Sequence, residues 1–148
     1  MRLKRVRPSG DEGSLLPLSI FYGGLSLVLI LLVVAATSLY LERKRLFALA
    51  DAAALAGSES FTLSEMELAT DGPRVALRPQ QVQAAVEQYL LETGQGRFEA
   101  LQLESASTAD GRTADVRISA YWCPPVLSLL LPEGIRLEVS AVARSVFG

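Results

Sequence analysis

The chain has 148 residues, one domain's worth by length; 50% are hydrophobic, 20% are charged, and the net charge is −2. That length excludes a two-domain enzyme, and a mean hydropathy of +0.31 argues against a purely soluble globule. The chain has no His, so the usual general base and the commonest metal ligand are missing, and its single Cys, Cys123, permits neither an intramolecular disulfide nor a cysteine-based zinc cluster.

In chain order, Arg2, Lys4, Arg5 and Arg7 mark residues 1–13 as a basic tail. From Ser14 to Leu41 there is no Asp, Glu, Lys or Arg. This run makes about 42 Å of helix at 1.5 Å per residue, ample for about 30 Å of hydrocarbon. A secretory signal has an apolar region of only about 7–15 residues, so the small residues Val34-Ala35-Ala36 are not read as a cleavage site. The run 14–41 is read as a transmembrane helix, with the lipid bilayer as its partner. Basic residues before it outnumber Arg43, Lys44 and Arg45 after it only narrowly. The part beyond Arg45 is acidic and free of Lys, which also favours a cytoplasmic N-terminus and an extracytoplasmic C-terminal part.

No Gly or Pro interrupts the chain between Ser26 and Ala56, and Ala and Leu are the best helix formers. One helix of roughly 40 residues is therefore expected, with 42–57 as its extension past the membrane and Gly57-Ser58 as its stop. Tyr40 stands where an interfacial aromatic would anchor the span. Leu46, Leu49, Ala50, Ala53 and Ala56 share one face, and small residues there allow close approach. That face packs on the chain's own domain, on neighbours in a fibre, or on both.

Residues 58–148 read as an α+β domain. Asp71-Gly72-Pro73 suggests a turn, and Val75-Ala76-Leu77 a short strand. Pro79 opens a second helix to about Glu92, with Val82, Val86 and Tyr89/Leu90 as its stripe and Gly94 as its end. The period then changes to two. Phe98, Leu101 and Leu103 open one strand; Val116, Ile118, Ala120 and Trp122 alternate in another, with Asp110-Gly111 as the turn signal between them. Ile135, Leu137, Val139, Ala141 and Ala143 alternate in a long last strand. The fold class is thus a long transmembrane helix carried past the membrane, with a second helix packed on a small antiparallel sheet.

Between the last two strands, Pro124-Pro125 and Pro132 bound an apolar loop of Val126, Leu127, Leu129, Leu130 and Leu131. Too apolar for a solvated connection, it lines the core, dips into the membrane surface, or contacts a partner. Chemistry is sparse. No GxGxxG, P-loop, HExxH or CxxC occurs, and no catalytic, cofactor-binding or metal-ligating residue is expected. The near-balanced charge points to no nucleic-acid partner, and nothing points to a small-molecule substrate. Cys123 is read as a small buried hydrophobe or an intermolecular disulfide partner.

Two stretches carry a resemblance. Asp11-Glu12-Gly13-Ser14-Leu15-Leu16-Pro17-Leu18 running into an apolar helix resembles the N-terminus of TadE/TadG-like proteins of tight-adherence (Flp-type) pili. Leu49-Ala50-Asp51-Ala52-Ala53-Ala54-Leu55-Ala56 is similar to the segment after that helix in the TadG-like branch. The resemblance implies a pilin-like, non-catalytic protein of the bacterial inner membrane. It would be a minor pilin or pilus/secretion-system assembly protein that meets other subunits by helix packing, with incorporation into a surface pilus open. It also implies a candidate leader-peptide cleavage between Gly13 and Ser14 by a membrane aspartyl peptidase. Pilins cleaved there carry Glu at the fifth mature position, whereas Leu18 stands here, which favours the uncleaved TadG-like reading. Ala50, Asp51, Ala53, Ala54 and Leu55 are the helix-packing signature. Asp51 is expected either to be solvated or to pair with Arg117 or Arg144 of the sheet. The competing function is a single-pass, membrane-anchored extracytoplasmic binding or sensor domain with no pilus role.

Overall fold

The computed structural model describes residues 15–60, 66–69, 72–124 and 133–144. The tail and the candidate cleavage site Gly13-Ser14 lie outside the described residues, as do Val126, Leu127, Leu129, Leu130 and Leu131 of the Pro-bounded loop.

The uninterrupted Leu/Val/Ala sequence forms one helix, α1 (Leu15–Ser58), of 44 residues, about 66 Å long. Pro17 sits in its first turn, where a missing N–H leaves no bond unmade. Hydroxyls in the apolar stretch are satisfied within the helix: Ser19 Oγ donates to the Leu16 carbonyl and Thr37 Oγ1 to that of Val33, each at 2.9 Å. At the far end the Leu55 carbonyl accepts from the Glu59 N–H and from Ser58 Oγ, and the Gly57 carbonyl from the Ser60 N–H and Ser60 Oγ, so the last turn's carbonyls are doubly met.

Next comes a two-stranded antiparallel ribbon, β1 (Met66–Ala69) and β2 (Gly72–Val75), with Leu68 opposite Pro73. The strand expected at Val75-Ala76-Leu77 therefore lies mostly earlier. Both strands of such a ribbon are edges, so Pro73 costs no internal ladder bond. Leu77 instead leaves the ribbon: its side chain is buried, and its N–H donates to the Gly111 carbonyl at 2.8 Å.

α2 (Pro79–Thr93) begins with Pro at its first position and buries Val82, Val86 and Leu90. Gly94 caps it with φ −90°, a right-handed conformation. Glycine is needed there for space: a Cβ would come within 2.5 Å of Leu101 Cδ2 and 2.8 Å of the Leu90 carbonyl.

β3 (Glu99–Ser107), β4 (Thr113–Trp122) and β5 (Ile135–Arg144) form an antiparallel meander in sheet order β3-β4-β5. Period-two alternation turns Val116, Ile118, Ala120 and Trp122 of the central strand inward, all buried. Two one-residue bulges interrupt the β3–β4 ladder, between Glu99 and Gln102 and between Leu103 and Ser105. Ala100, inside the first, has φ +47°. α1 lies across the inner face of β4 and β5, and α2 lies beside α1 against β3. One core joins Leu46, Leu49, Ala50, Ala53 and Ala54 of α1 to Val82 and Val86 of α2 and to Val116, Ile118, Val139 and Ala141 of the sheet.

Candidate assembly surface

α1 presents two kinds of surface along one axis. From Leu15 to Ile30 every side chain is exposed, on all sides of the helix, and from there to Thr37 only Leu31 and Ala35, on the side that leads to Ser38, are half-buried. This stretch is long and apolar enough to cross a membrane. The domain first reaches the helix by hydrogen bond at Ser38, where the indole N–H of Trp122 donates to the Ser38 hydroxyl at 3.4 Å. From Leu46 onward one side of α1 is buried in the core.

That side is built from small residues. Ala50, Ala53 and Ala54 are wholly buried, and their short side chains let the sheet come close to the helix backbone. At Gly57 an added Cβ would meet Val86 Cγ2 at 3.0 Å, Val82 Cγ1 at 3.2 Å and Ala114 Cβ at 3.3 Å. The chain's own domain therefore occupies the alanine face.

Running from the flank of that face to the far side of the helix are Phe47, Asp51 and Leu55, at four-residue spacing and hence in one row. Phe47 is 48% and Leu55 49% exposed, and Asp51 between them is exposed too. Of the packing signature, then, Ala50, Ala53 and Ala54 come together in the core, while Asp51 and Leu55 face outward. Asp51 makes no ion pair among the described residues. Arg117 reaches Glu138 instead, at 3.4 Å, because both project from the outer face of the sheet. Below this row the Lys44 ammonium stands 5.8 Å from the centre of the Tyr40 ring.

The outer face of the sheet is polar. The second bulge leaves Glu104 free to accept from Ser119 Oγ at 2.6 Å and from Arg136 Nη2 at 2.5 Å. The Ser119 hydroxyl, then the Arg136 guanidinium, lowers the Glu104 carboxyl below its ordinary range, and Glu104 in turn raises Arg136. In the β3–β4 turn, Asp110 Oδ1 accepts from the Thr113 hydroxyl and from the N–H groups of Arg112 and Thr113. These bonds, the Thr113 hydroxyl foremost, hold the Asp110 carboxyl far below the usual range. Gly111 follows it with φ +67°, which glycine adopts freely. Cys123 is exposed, not a core hydrophobe; its thiol donates to Glu99 Oε2 at 3.0 Å, and that bond, with burial and the Glu99 charge, raises its pKa. Among the described residues no cluster of three or more Cys, Asp or Glu could hold a metal ion.

Residues 13–60 match the family described as "Putative Flp pilus-assembly TadE/G-like". The match spans all of α1, about a third of the chain, and supports a TadE/TadG-like, pilus-assembly-related protein without separating the two branches. No curated protein and no solved structure matches the chain.

Sequence reasoning missed the Phe47–Leu55 row, the Trp122–Ser38 contact and the Glu104–Ser119–Arg136 cluster. The row was legible: the 100° step that places Ala50 and Ala53 on one side carries Phe47, Asp51 and Leu55 from its flank to the far side. The other two join residues far apart in sequence, and no local pattern announces them.

Proposed function

We propose that this chain is a non-catalytic, single-pass membrane protein of a Tad-type pilus or related secretion system, serving as a minor pilin or assembly factor. Its α1 crosses the bilayer over about residues 15–37, and its α+β domain stands on the extracytoplasmic side. The observation that carries this reading is that anchor and domain core are one unbroken helix. A flexible linker would let a binding domain search the space around its anchor. A shared helix holds the domain at a set height and rotation, which an assembly subunit requires.

Other pilus or secretion-system subunits would meet the Phe47–Asp51–Leu55 row, since the alanine face is already filled. Leu18 at the position where cleaved pilins carry Glu supports an uncleaved N-terminus, so mass spectrometry of the membrane-extracted protein should find Met1 rather than Ser14.

The role is tested with a photo-crosslinking residue in place of Phe47 in pilus-producing cells. It should trap another pilus subunit, and deletion of the protein should remove surface pili. Full piliation in the deletion strain, with no crosslinked product, would refute the reading and favour an anchored sensor domain.

A further inference from the structure

Two grooves on α1 meet at Arg45. The lower, about 440 Å³, runs up one side of the apolar stretch past Val33, Val34, Thr37 and Leu41 to Arg45. The upper, about 490 Å³, continues from Arg45 between α1 and the C-terminal end of α2, where Arg97, Tyr89 and Phe98 line it. One continuous track thus begins among bare apolar side chains and ends between two guanidinium groups.

The dimensions and charges identify what fits. Val33, Val34 and Thr37 lie in the last turns of the membrane span proposed above, and Arg45 stands about 12 Å beyond Thr37 along the helix. The Ser38–Trp122 contact sets the domain's foot about 10 Å below Arg45 along the helix axis. A downward-reaching Arg45 side chain therefore enters the headgroup layer. Two guanidinium groups, Arg45 and Arg97, line the track against one carboxylate, Glu42, which pairs with Arg45 at 3.7 Å while the Arg45 side chain stays 73% exposed. Arg97 makes no ion pair among the described residues. Guanidinium forks suit phosphate oxygens, and the rings of Tyr89 and Phe98 give an apolar wall for the ester region.

Resting on the membrane anchoring proposed above, we infer that this track binds one anionic phospholipid of the leaflet facing the domain. An acyl chain lies along Val33, Val34, Thr37 and Leu41, and the phosphate lies between Arg45 and Arg97. The bound lipid fills the cleft between α1 and α2 at the domain's foot and ties the domain's height to the membrane surface.

The test uses the full-length protein in phosphatidylcholine vesicles carrying a photoactivatable phosphatidylglycerol or, separately, a photoactivatable phosphatidylcholine. Crosslinks are mapped by mass spectrometry. Phosphatidylglycerol should label residues 89–98 at least fivefold more than phosphatidylcholine does. Arg45→Gln with Arg97→Gln should abolish that preference, while the paired Lys substitutions keep most of it. Equal labelling by both lipids, or unchanged preference in the Gln variant, overturns the inference, as does displacement by 10 mM inorganic phosphate, which would mark a free-anion site. Labelling of residues 15–37 by both lipids reports insertion independently. If it is present while the groove stays unlabelled, this inference fails and the anchoring stands; if it is absent, both fail.

Discussion

The two halves of α1 share one backbone, yet their surroundings differ completely. Around Leu29 the helix is bare on every side; around Leu46 and Ala53 it is the centre of a core. The side chains record the difference. The lower half is mostly large aliphatics, which suit a solvent with no shape of its own. The upper half alternates Leu46 and Leu49 with Ala50, Ala53, Ala54 and Gly57, because a sheet and a second helix must fit against it. Hydrophobicity alone does not distinguish an anchor from a core; the sizes of the residues and the side they occupy do.

The largest effect should come from Leu46→Ala. This wholly buried side chain should cost about 2–5 kcal/mol of domain stability, a large share of what a domain this small possesses. Leu29→Ala, the same change in the bare half, should leave denaturant unfolding in detergent, followed by Trp122 fluorescence, within about 0.5 kcal/mol. Equal losses at the two positions would erase the contrast.

The reciprocal change is Leu29→Arg. It should leave the domain's unfolding midpoint alone and disfavour membrane insertion by about 2.5–3.5 kcal/mol. A glycosylation-based insertion assay would read this as a marked fall in the spanning fraction.

Gly94→Ala should cost about 1–3 kcal/mol, because the added methyl meets the Leu90 carbonyl, which cannot rotate aside as a side chain can. A glycine chosen for a left-handed cap would lose stability to every L residue; here Gly94→Ala should be harmful through crowding, and pairing it with Leu101→Ala should recover part of the loss. No recovery in the double variant would show that the crowding is not with Leu101.

The smallest effect concerns the outer face of the sheet. Glu104 has its pKa lowered from an ordinary value of 4.5, so its contribution to stability is fully present above that value. It is lost as pH falls through the lowered value in the folded protein. Between pH 6 and 3 the unfolding midpoint should fall less steeply in Glu104→Gln than in the unaltered protein. Parallel slopes would mean that the Ser119 and Arg136 bonds add nothing. Asp110 titrates with the same sign and survives in both proteins, so the difference isolates Glu104.

Local signals carried much of this fold. Pro79 and Gly94 bracket α2 because a helix start without an N–H and a tight end are properties of single residues. Val116 to Trp122 reveal β4 because a strand buried on one face must alternate. The ribbon was shifted because four-residue strands are set by pairing rather than by their own pattern. Of the two expectations for Asp51 the exposed one holds, because a helix's rotation on a sheet is decided by packing, here by Ala50, Ala53 and Ala54, which no local pattern reveals. The buried reading of Cys123 fails because the strand ends after Trp122, and the thiol turns outward to Glu99. The Arg45–Arg97 groove joins residues 52 apart in sequence, and only the antiparallel packing of α2 on α1 brings them together.

The claim that one unbroken helix serves as anchor below and core above is tested most directly by accessibility scanning. Single cysteines are placed from Leu27 to Leu55 in a Cys123→Ser background, spin-labelled, and reconstituted in bilayers. Up to Ile30 the labels should contact lipid-dissolved oxygen on all sides. Beyond Leu46, protection should recur with a 3.6-residue period, with Ala50, Ala53 and Ala54 shielded and Phe47, Asp51 and Leu55 open to water. A break in helical phase between Thr37 and Leu46, or periodic shielding from Leu27 to Ile30, would contradict it.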